Sequence, residues 1–123
     1  MKAVWREDLV DVPFLKGMAE IADKNTIVVC VFEEYIDLLR YENKIVIITS
    51  NKKNTETVRQ ILATNAIKFK RVRNIKNGFF TLMNKIGFVL QKFELDKVEE
   101  AFKTEKIEKI TRINKSMIIH GKP

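Results

Sequence analysis

Five cations and no acid occur in the nine residues KFKRVRNIK, which run from 68 to 76. Guanidinium and ammonium groups at this density are typical of surfaces that contact phosphate. We take these five side chains as candidate phosphate contacts: Lys68, Lys70, Arg71, Arg73 and Lys76. Four further cations in the same part of the chain are candidate outer contacts: Lys52, Lys53, Arg59 and Lys85.

The charge of the chain is unevenly distributed. Its net charge of +7 divides into −3 for residues 1–50, +9 for residues 51–92 and +1 for residues 93–123. Residues 51–92 hold ten cations and a single acid, Glu56. Such a field attracts polyphosphate backbones over a Debye length. The alternative is a lysine-rich surface that only keeps the protein soluble.

Strand geometry gives two interpretations of the basic stretch. In a regular strand Phe69 shares a face with Arg71, and the apolar residues change face between 70 and 71. A β-bulge there would place Ile67, Phe69 and Val72 together on the core side and turn the cations outward. Alternatively, the strand ends at Lys70 and the arginines lie in a loop. Both geometries predict that the cations reach solvent.

A second candidate anion site is TSNKKNTE, residues 49–56, which joins a predicted strand to the start of a predicted helix. The N–H groups at a helix start, aided by Ser50, Lys52 and Lys53, could hold a phosphate. The alternative is a solvated loop followed by a capped helix. The segment contains no glycine and is therefore neither a P-loop nor a dinucleotide fingerprint, and we predict no cofactor.

Length and composition predict one domain over residues 1–123. No apolar run approaches the ~18 residues that span a bilayer, so no membrane association is predicted. Cys30 and His120 are each the single residue of their type, which excludes an internal disulfide and sites that need several cysteines or histidines. Cys30 lies in the apolar run TIVVCVF and is predicted to be a core residue. A cytoplasmic location fits these features.

Hydrophobic periodicity predicts the elements that would position the cations. The first three expected strands are 26–32, 44–50 and 67–74. FFTLM and IGFVLQKF are expected to pair as a hairpin, and ITRINKSMIIH is expected as a last strand with a break at Asn114–Lys115. The expected helices are 12–23, 33–43, a helix capped by Asn54 or Thr55 that runs to Asn65, and 96–106. Because no loop signal separates Phe32 from Glu33, one longer helix over 26–43 is an alternative.

Residues 44–119 therefore have the order β-α-β-β-α-β. This order predicts an α+β fold with a ferredoxin-like, four-stranded antiparallel sheet, two helices on one face and the other face open. Residues 1–43 would form an α/β extension packed on this core. The alternative is an α/β three-layer fold with a mixed sheet.

The Gly87-Phe88-Val89 triplet, on a strand that leads into the helix ELDKVEEAF, resembles the RNA recognition motif. The resemblance covers residues 44–119 and lies mainly in the order of elements. It implies RNA or DNA as the partner and Phe88 as a residue that stacks on a base. The second aromatic of that family's strand is replaced by Ile86, and the strand IVIITS has no aromatic. Phosphate contact through the cations does not depend on those aromatics.

Two other functions are alternatives to non-catalytic nucleic-acid binding. Glu42 and Lys44 form a Glu-x-Lys pattern, with Glu33, Glu34 and Asp37 upstream, as in Mg²⁺-dependent nucleases. Such nucleases place these groups on strands, whereas residues 33–43 are predicted here as a helix with an acidic solvated face, so no metal or catalytic residue is predicted. The acidic first half and basic second half could instead support protein interaction, including homo-oligomerisation.

Overall fold

The computed structural model of the protein describes the backbone of residues 4–5, 17–18, 20–37, 40–74, 76–77, 80–81, 83–91, 95–113 and 116–122. The side chains of residues 4–5, 32–37, 40–44, 76–77, 80–81 and 91 lie outside this description. The strands are β1 Val4–Trp5, β2 Thr26–Asp37, β3 Arg40–Thr49, β4 Lys70–Arg73, β5 Lys76–Asn77, β6 Phe80–Thr81, β7 Ile86–Gln91, β8 Ile107–Ile113 and β9 Ser116–Gly121. The helices are α1 Lys52–Thr64 and α2 Leu95–Ala101, and residues 17, 18 and 20 are also helical.

Six strands form one antiparallel sheet in the order β4-β7-β3-β2-β9-β8, and β1 adds to it by pairing with β2. Within the described residues the protein is therefore an α+β protein with a six-stranded antiparallel sheet and two helices. The sheet has six strands where four were expected, because β2 lies between β3 and β9 and the last expected strand is divided into β8 and β9. The alternative of a mixed sheet is wrong, since all the described strand pairs are antiparallel.

The helix predicted over residues 33–43 is wrong. The strand that begins at Thr26 continues to Asp37, and β3 returns from Arg40 in register with it. The missing loop signal after Phe32 thus marks one longer strand rather than one longer helix. The spacing of Ile36 and Leu39 suited a helix, but pairing with neighbouring strands satisfies the backbone N–H and C=O groups of this segment instead.

The predicted hairpin between FFTLM and IGFVLQKF is also wrong. The short strand β6 pairs with β5, whereas β7 pairs with β3 on one side and β4 on the other. The predicted break near Asn114 is confirmed, because β8 and β9 are separate strands that pair with each other.

Both helices contribute to one hydrophobic core on one face of the sheet. This helix face carries alternate residues of the central strands, such as Ile47 of β3 and Phe88 of β7, which pair directly across the sheet. Leu62 of α1 and Phe102, which directly follows α2, belong to the same core, and all four side chains are at most 1% exposed. Burial of such a side chain stabilises the fold by about 1.5–3 kcal/mol.

The opposite face of the sheet is buried at its centre as well. Val28, Cys30, Val46 and Ile48 alternate with the residues of the helix face and are all at most 5% exposed. The open second face that the RNA recognition motif would require is therefore not present at these positions. Burial raises the pKa of the Cys30 thiol to about 12, although a hydrogen bond with Ser116 acts in the opposite direction. Cys30 is thus a core residue, as predicted.

Two asparagines fasten the turn before β2 to the start of α1. The side-chain amide nitrogen of Asn54 donates to the backbone carbonyl oxygens of Asp23 and Lys24 at 2.9 and 3.0 Å. The side-chain amide nitrogen of Asn51 donates to the same Asp23 carbonyl oxygen at 3.0 Å. Asn54 is only 5% exposed. The two bonds from Asn54 are therefore partly shielded from water, whereas the bond from Asn51 is exposed.

Replacing Asn54 by alanine should lower the free energy of unfolding by about 1–3 kcal/mol, because the two part-buried hydrogen bonds from its side chain to Asp23 and Lys24 would be lost. Urea denaturation followed by circular dichroism measures this loss. Thr64→Ala, at an exposed position in the last turn of the same helix, is the control and should change the stability by less than about 0.5 kcal/mol. Equal stability of the two variants would show that the turn is not held by Asn54.

Candidate nucleic-acid interface

A cleft of about 580 Å³ lies between the start of α1, the edge strand β4 and the residues that precede β7. We call it the arginine cleft. Its cations are Lys52, Arg71, Arg73 and Lys85, and Glu56 is its single acid among the described residues. The two candidate anion sites of the sequence, the basic strand and the helix start, therefore lie on opposite walls of the same cleft.

Strand pairing determines the direction of the two arginines. In β4 the register with β7 pairs Arg71 with Phe88 and Arg73 with Ile86. Phe88 belongs to the helix face, so both arginines lie on the side of the sheet that carries α1. The pairing is regular from Lys70 to Arg73. Both interpretations of the basic stretch are therefore wrong, since β4 has no bulge at Lys70–Arg71 and the arginines lie in the strand and not in a loop. Both arginines are nevertheless exposed, as predicted, and β4 is an edge strand.

The connection between β4 and β7 brings Arg73 close to Lys85. The backbone N–H of Asn74 donates to the carbonyl oxygen of Lys85 at 2.9 Å, and the Asn74 side chain accepts from the N–H of Asn84 at 3.0 Å. Asn74 and Asn84 have φ angles of 48° and 62°, a left-handed conformation that asparagine tolerates better than most residues. The chain thus leaves the sheet after Arg73 and returns beside it.

Lys85 has a second contact that fixes its position. Its ammonium group donates to the carbonyl oxygen of Ala22 at 2.6 Å. An ammonium group has three N–H donors, so this bond anchors the side chain and leaves donors for another acceptor.

The start of α1 forms the other wall of the cleft. Asn51 is the N-cap, since its side chain accepts from the N–H of Asn54 at 2.8 Å, whereas the sequence predicted Asn54 or Thr55 as the cap. The Thr55 hydroxyl lies 2.8 Å from that of Thr49 and donates to the carbonyl of Asn51 at 2.6 Å. The first N–H groups of a helix carry partial positive charge, which adds to that of Lys52.

Glu56 reduces the positive charge of the cleft, but it is already paired. Arg59 donates from Nε to a Glu56 carboxylate oxygen at 3.0 Å and also contacts it through a terminal nitrogen, and Gln60 donates at 3.4 Å. The hydrogen bond from Arg59 is the largest cause that lowers the pKa of Glu56, and Arg71 contributes by its charge. The predicted outer contact Arg59 is therefore engaged with this acid.

The remaining predicted cations occupy different positions. Lys68 and Lys70 are exposed as expected, but Lys70 is on the face of β4 opposite to Arg71 and Arg73. Lys53 is exposed and lines a second cleft on the other side of α1. Lys76 lies in β5, and its side chain is outside the described set.

Phe88 is buried in the core, and this position contradicts the prediction that its ring stacks on a base. Its side chain is 0% exposed and points into the helix face, where it meets Phe69 edge to face with ring centroids 5.3 Å apart. The reason is the register of β7, which places Phe88 opposite Ile47 in the core. The sequence pattern Gly-Phe-Val could not show which face of the sheet the ring would occupy.

The second cleft, of about 490 Å³, was missed by the sequence analysis. Its cations are Lys53, Lys106 and Lys122. Lys106 and Lys122 belong to a segment whose charges nearly cancel, so charge counting gave no signal. Three acids of this segment are bonded away from the cleft: Asp96 and Glu99 bond to Arg112, and Glu100 bonds to Lys103. We call this second site the lysine cleft.

The acidic residues considered for a nuclease lie on strands and not on a helix. Glu42 and Lys44 are in β3, and the register pairs Glu34 of β2 with Glu42. The side chains of Glu33, Glu34, Asp37 and Glu42 are outside the described set. Among the side chains that are described, no group of three or more His, Cys, Asp or Glu residues is placed to hold a metal ion.

In comparisons with known proteins, no family model, curated protein or solved structure matches this chain. Of the helices that the structure describes, none has the length and apolar character needed to cross a membrane. The function is therefore inferred from the two clefts and the strands around them.

Proposed function

We propose that this protein binds nucleic acid without catalysis and contacts its phosphates in the arginine cleft. The observation that carries the proposal is the convergence of Lys52, Arg71, Arg73 and Lys85 on one concave surface. These cations come from three separate parts of the chain. Among the described residues that line the cleft, the single acid is Glu56, whose carboxylate is bonded to Arg59.

The electrostatics of the cleft favour a ligand with several negative charges. Like charges that are held together repel one another, and a polyanion relieves that repulsion and releases its own condensed counterions. Arginine suits this purpose because its planar guanidinium forms two parallel hydrogen bonds to one phosphate. Contacts of this kind position a nucleic acid but do not read its sequence.

Fluorescence anisotropy with labelled single- and double-stranded DNA and RNA tests this function. The logarithm of the binding constant should fall linearly with the logarithm of salt concentration, by about 0.7 per phosphate for a single strand or about 0.9 for a duplex. Micromolar or tighter binding with such a slope is the expected result. Absence of binding to every probe at low salt would refute the proposal.

Replacing Glu56 by glutamine should strengthen binding by about two- to fivefold at 0.1 M salt, because it removes a negative charge from the cleft and releases Arg59. The same anisotropy titration measures the change. Glu100→Gln is a matched control, since Glu100 has a similar pairing with the cation three residues later, Lys103, but lies on α2. Unchanged affinity of the Glu56 variant would show that the ligand does not approach this wall.

A second candidate function is a Mg²⁺-dependent nuclease, and the register of β2 and β3 favours it. Glu34 pairs with Glu42 across the two strands, and Lys44 is two residues further along β3. Nucleases of this type use carboxylates on adjacent strands to hold Mg²⁺ and a lysine beside them. Loss of intact probe with Mg²⁺ but not with EDTA, and its abolition by Glu42→Gln, would support this function. A probe that stays intact in Mg²⁺ would exclude it.

A further inference from the structure

The arginine cleft and the lysine cleft lie on either side of the first two turns of α1. Lys52 lines the arginine cleft and the next residue, Lys53, lines the lysine cleft. Glu56, one turn later, lines both clefts. The start of the helix is therefore a ridge with a cationic depression on each side.

Side chains on the ridge connect the two clefts. Lys106 of the lysine cleft donates to the side-chain oxygen of Gln60 at 3.3 Å, and Gln60 donates to Glu56 at 3.4 Å. Arg59 donates to both carboxylate oxygens of Glu56. Glu56, which among the described residues is the single acid that lines the two clefts, is thus paired with a cation and an amide.

Backbone hydrogen bonds at the open end of the β8–β9 pair, where Ile107 pairs with Gly121, hold the lysine cleft. The N–H of Lys122 donates to the carbonyl oxygen of Lys106 at 3.0 Å, and the N–H of Gly121 donates to that of Asn25 at 2.7 Å. Lys106 precedes β8 and Lys122 follows β9, so their separation is fixed by the sheet. Lys53, on α1, lines the same cleft.

We propose that the ligand is a single-stranded nucleic acid whose backbone crosses the start of α1 and places phosphates in both clefts. This inference rests on the proposed function and specifies its substrate class. An α-helix with its side chains is about 10–12 Å wide, so a strand must bend sharply to follow both sides of the ridge. Duplex DNA, with a persistence length of about 50 nm, resists such a bend, whereas a single strand does not.

The test compares two double variants on single strands of about 4 and about 12 nucleotides, lengths within the site sizes of single-strand binders. Lys106→Gln with Lys122→Gln should weaken binding of the long strand about tenfold and reduce its salt slope by about 1.4. It should change binding of the short strand less than about threefold, because that strand occupies the arginine cleft alone. Arg71→Ala with Arg73→Ala should weaken both strands.

The control for charge is Lys97→Gln with Lys109→Gln, which removes the same charge from two exposed lysines that line neither cleft. It should leave both affinities nearly unchanged. Urea denaturation establishes that each variant is folded. If the wild type binds the long strand but the Lys106/Lys122 variant binds it equally well, this inference is overturned and the proposed function stands. Tighter binding of a duplex than of the long strand also overturns it, and failure of the wild type to bind any nucleic acid overturns both.

Discussion

Arg71→Ala with Arg73→Ala should weaken nucleic-acid binding by roughly tenfold or more at 0.1 M salt and reduce the salt slope for a single strand by about 1.4. The reason is that both guanidinium groups lie on the wall of the arginine cleft, on the side of β4 that carries α1. The loss should be similar for all sequences, because phosphate contacts do not discriminate bases. Anisotropy titrations at several salt concentrations measure both quantities.

Lys68→Ala with Lys70→Ala is the matched control, since it removes two exposed cations from the same basic stretch. Lys70 is on the opposite face of β4, and neither lysine lines the arginine cleft. The control should lose less than about threefold, the effect of long-range charge alone. Equal losses in the two double variants would mean that total charge, and not the cleft, determines binding.

Phe88→Ala should lower the free energy of unfolding by about 3–5 kcal/mol, the usual cost of removing a fully buried aromatic ring. Phe88 is 0% exposed and packs with Phe69 and Ile47 in the core below α1. Such a loss is a large part of the stability of a domain, which is about 5–15 kcal/mol. Urea denaturation measures this loss of stability. Because the Cys30 thiol is buried, its rate of reaction with a disulfide reagent reports how often the core unfolds.

Phe88→Leu separates packing from ligand contact. Leucine retains most of the apolar volume, so the stability cost should stay below about 1.5 kcal/mol. Nucleic-acid affinity should be unchanged, because the ring does not reach solvent. A folded Phe88→Leu variant with much weaker binding would show that the ring does stack on a base, against the structure. Met83→Ala, at a side chain that is 63% exposed, is the stability control.

The sequence by itself determined which residues carry the positive charge and most of the elements that hold them. The ten cations of residues 51–92 follow from counting, and they predict solvent exposure of Lys68, Lys70, Arg71 and Arg73, which the structure confirms. Strands β3 and β7 and helix α1 were predictable because β-branched runs and a helical apolar stripe are local patterns. The core position of Cys30 followed from the apolar run around it in the same way.

Only the tertiary structure decided which faces these elements share. A strand looks the same in sequence whichever neighbour it pairs with, and a change of register by one residue exchanges its two faces. Pairing with β7 therefore determined that Arg71 and Arg73 face the start of α1, and pairing with β3 determined that Phe88 is buried. Long-range pairing with β3 also made residues 33–37 part of a strand. The pairing of β9 with β2 placed Lys122 in the same cleft as Lys53. Local sequence carries no information on such contacts, because they join residues far apart in the chain.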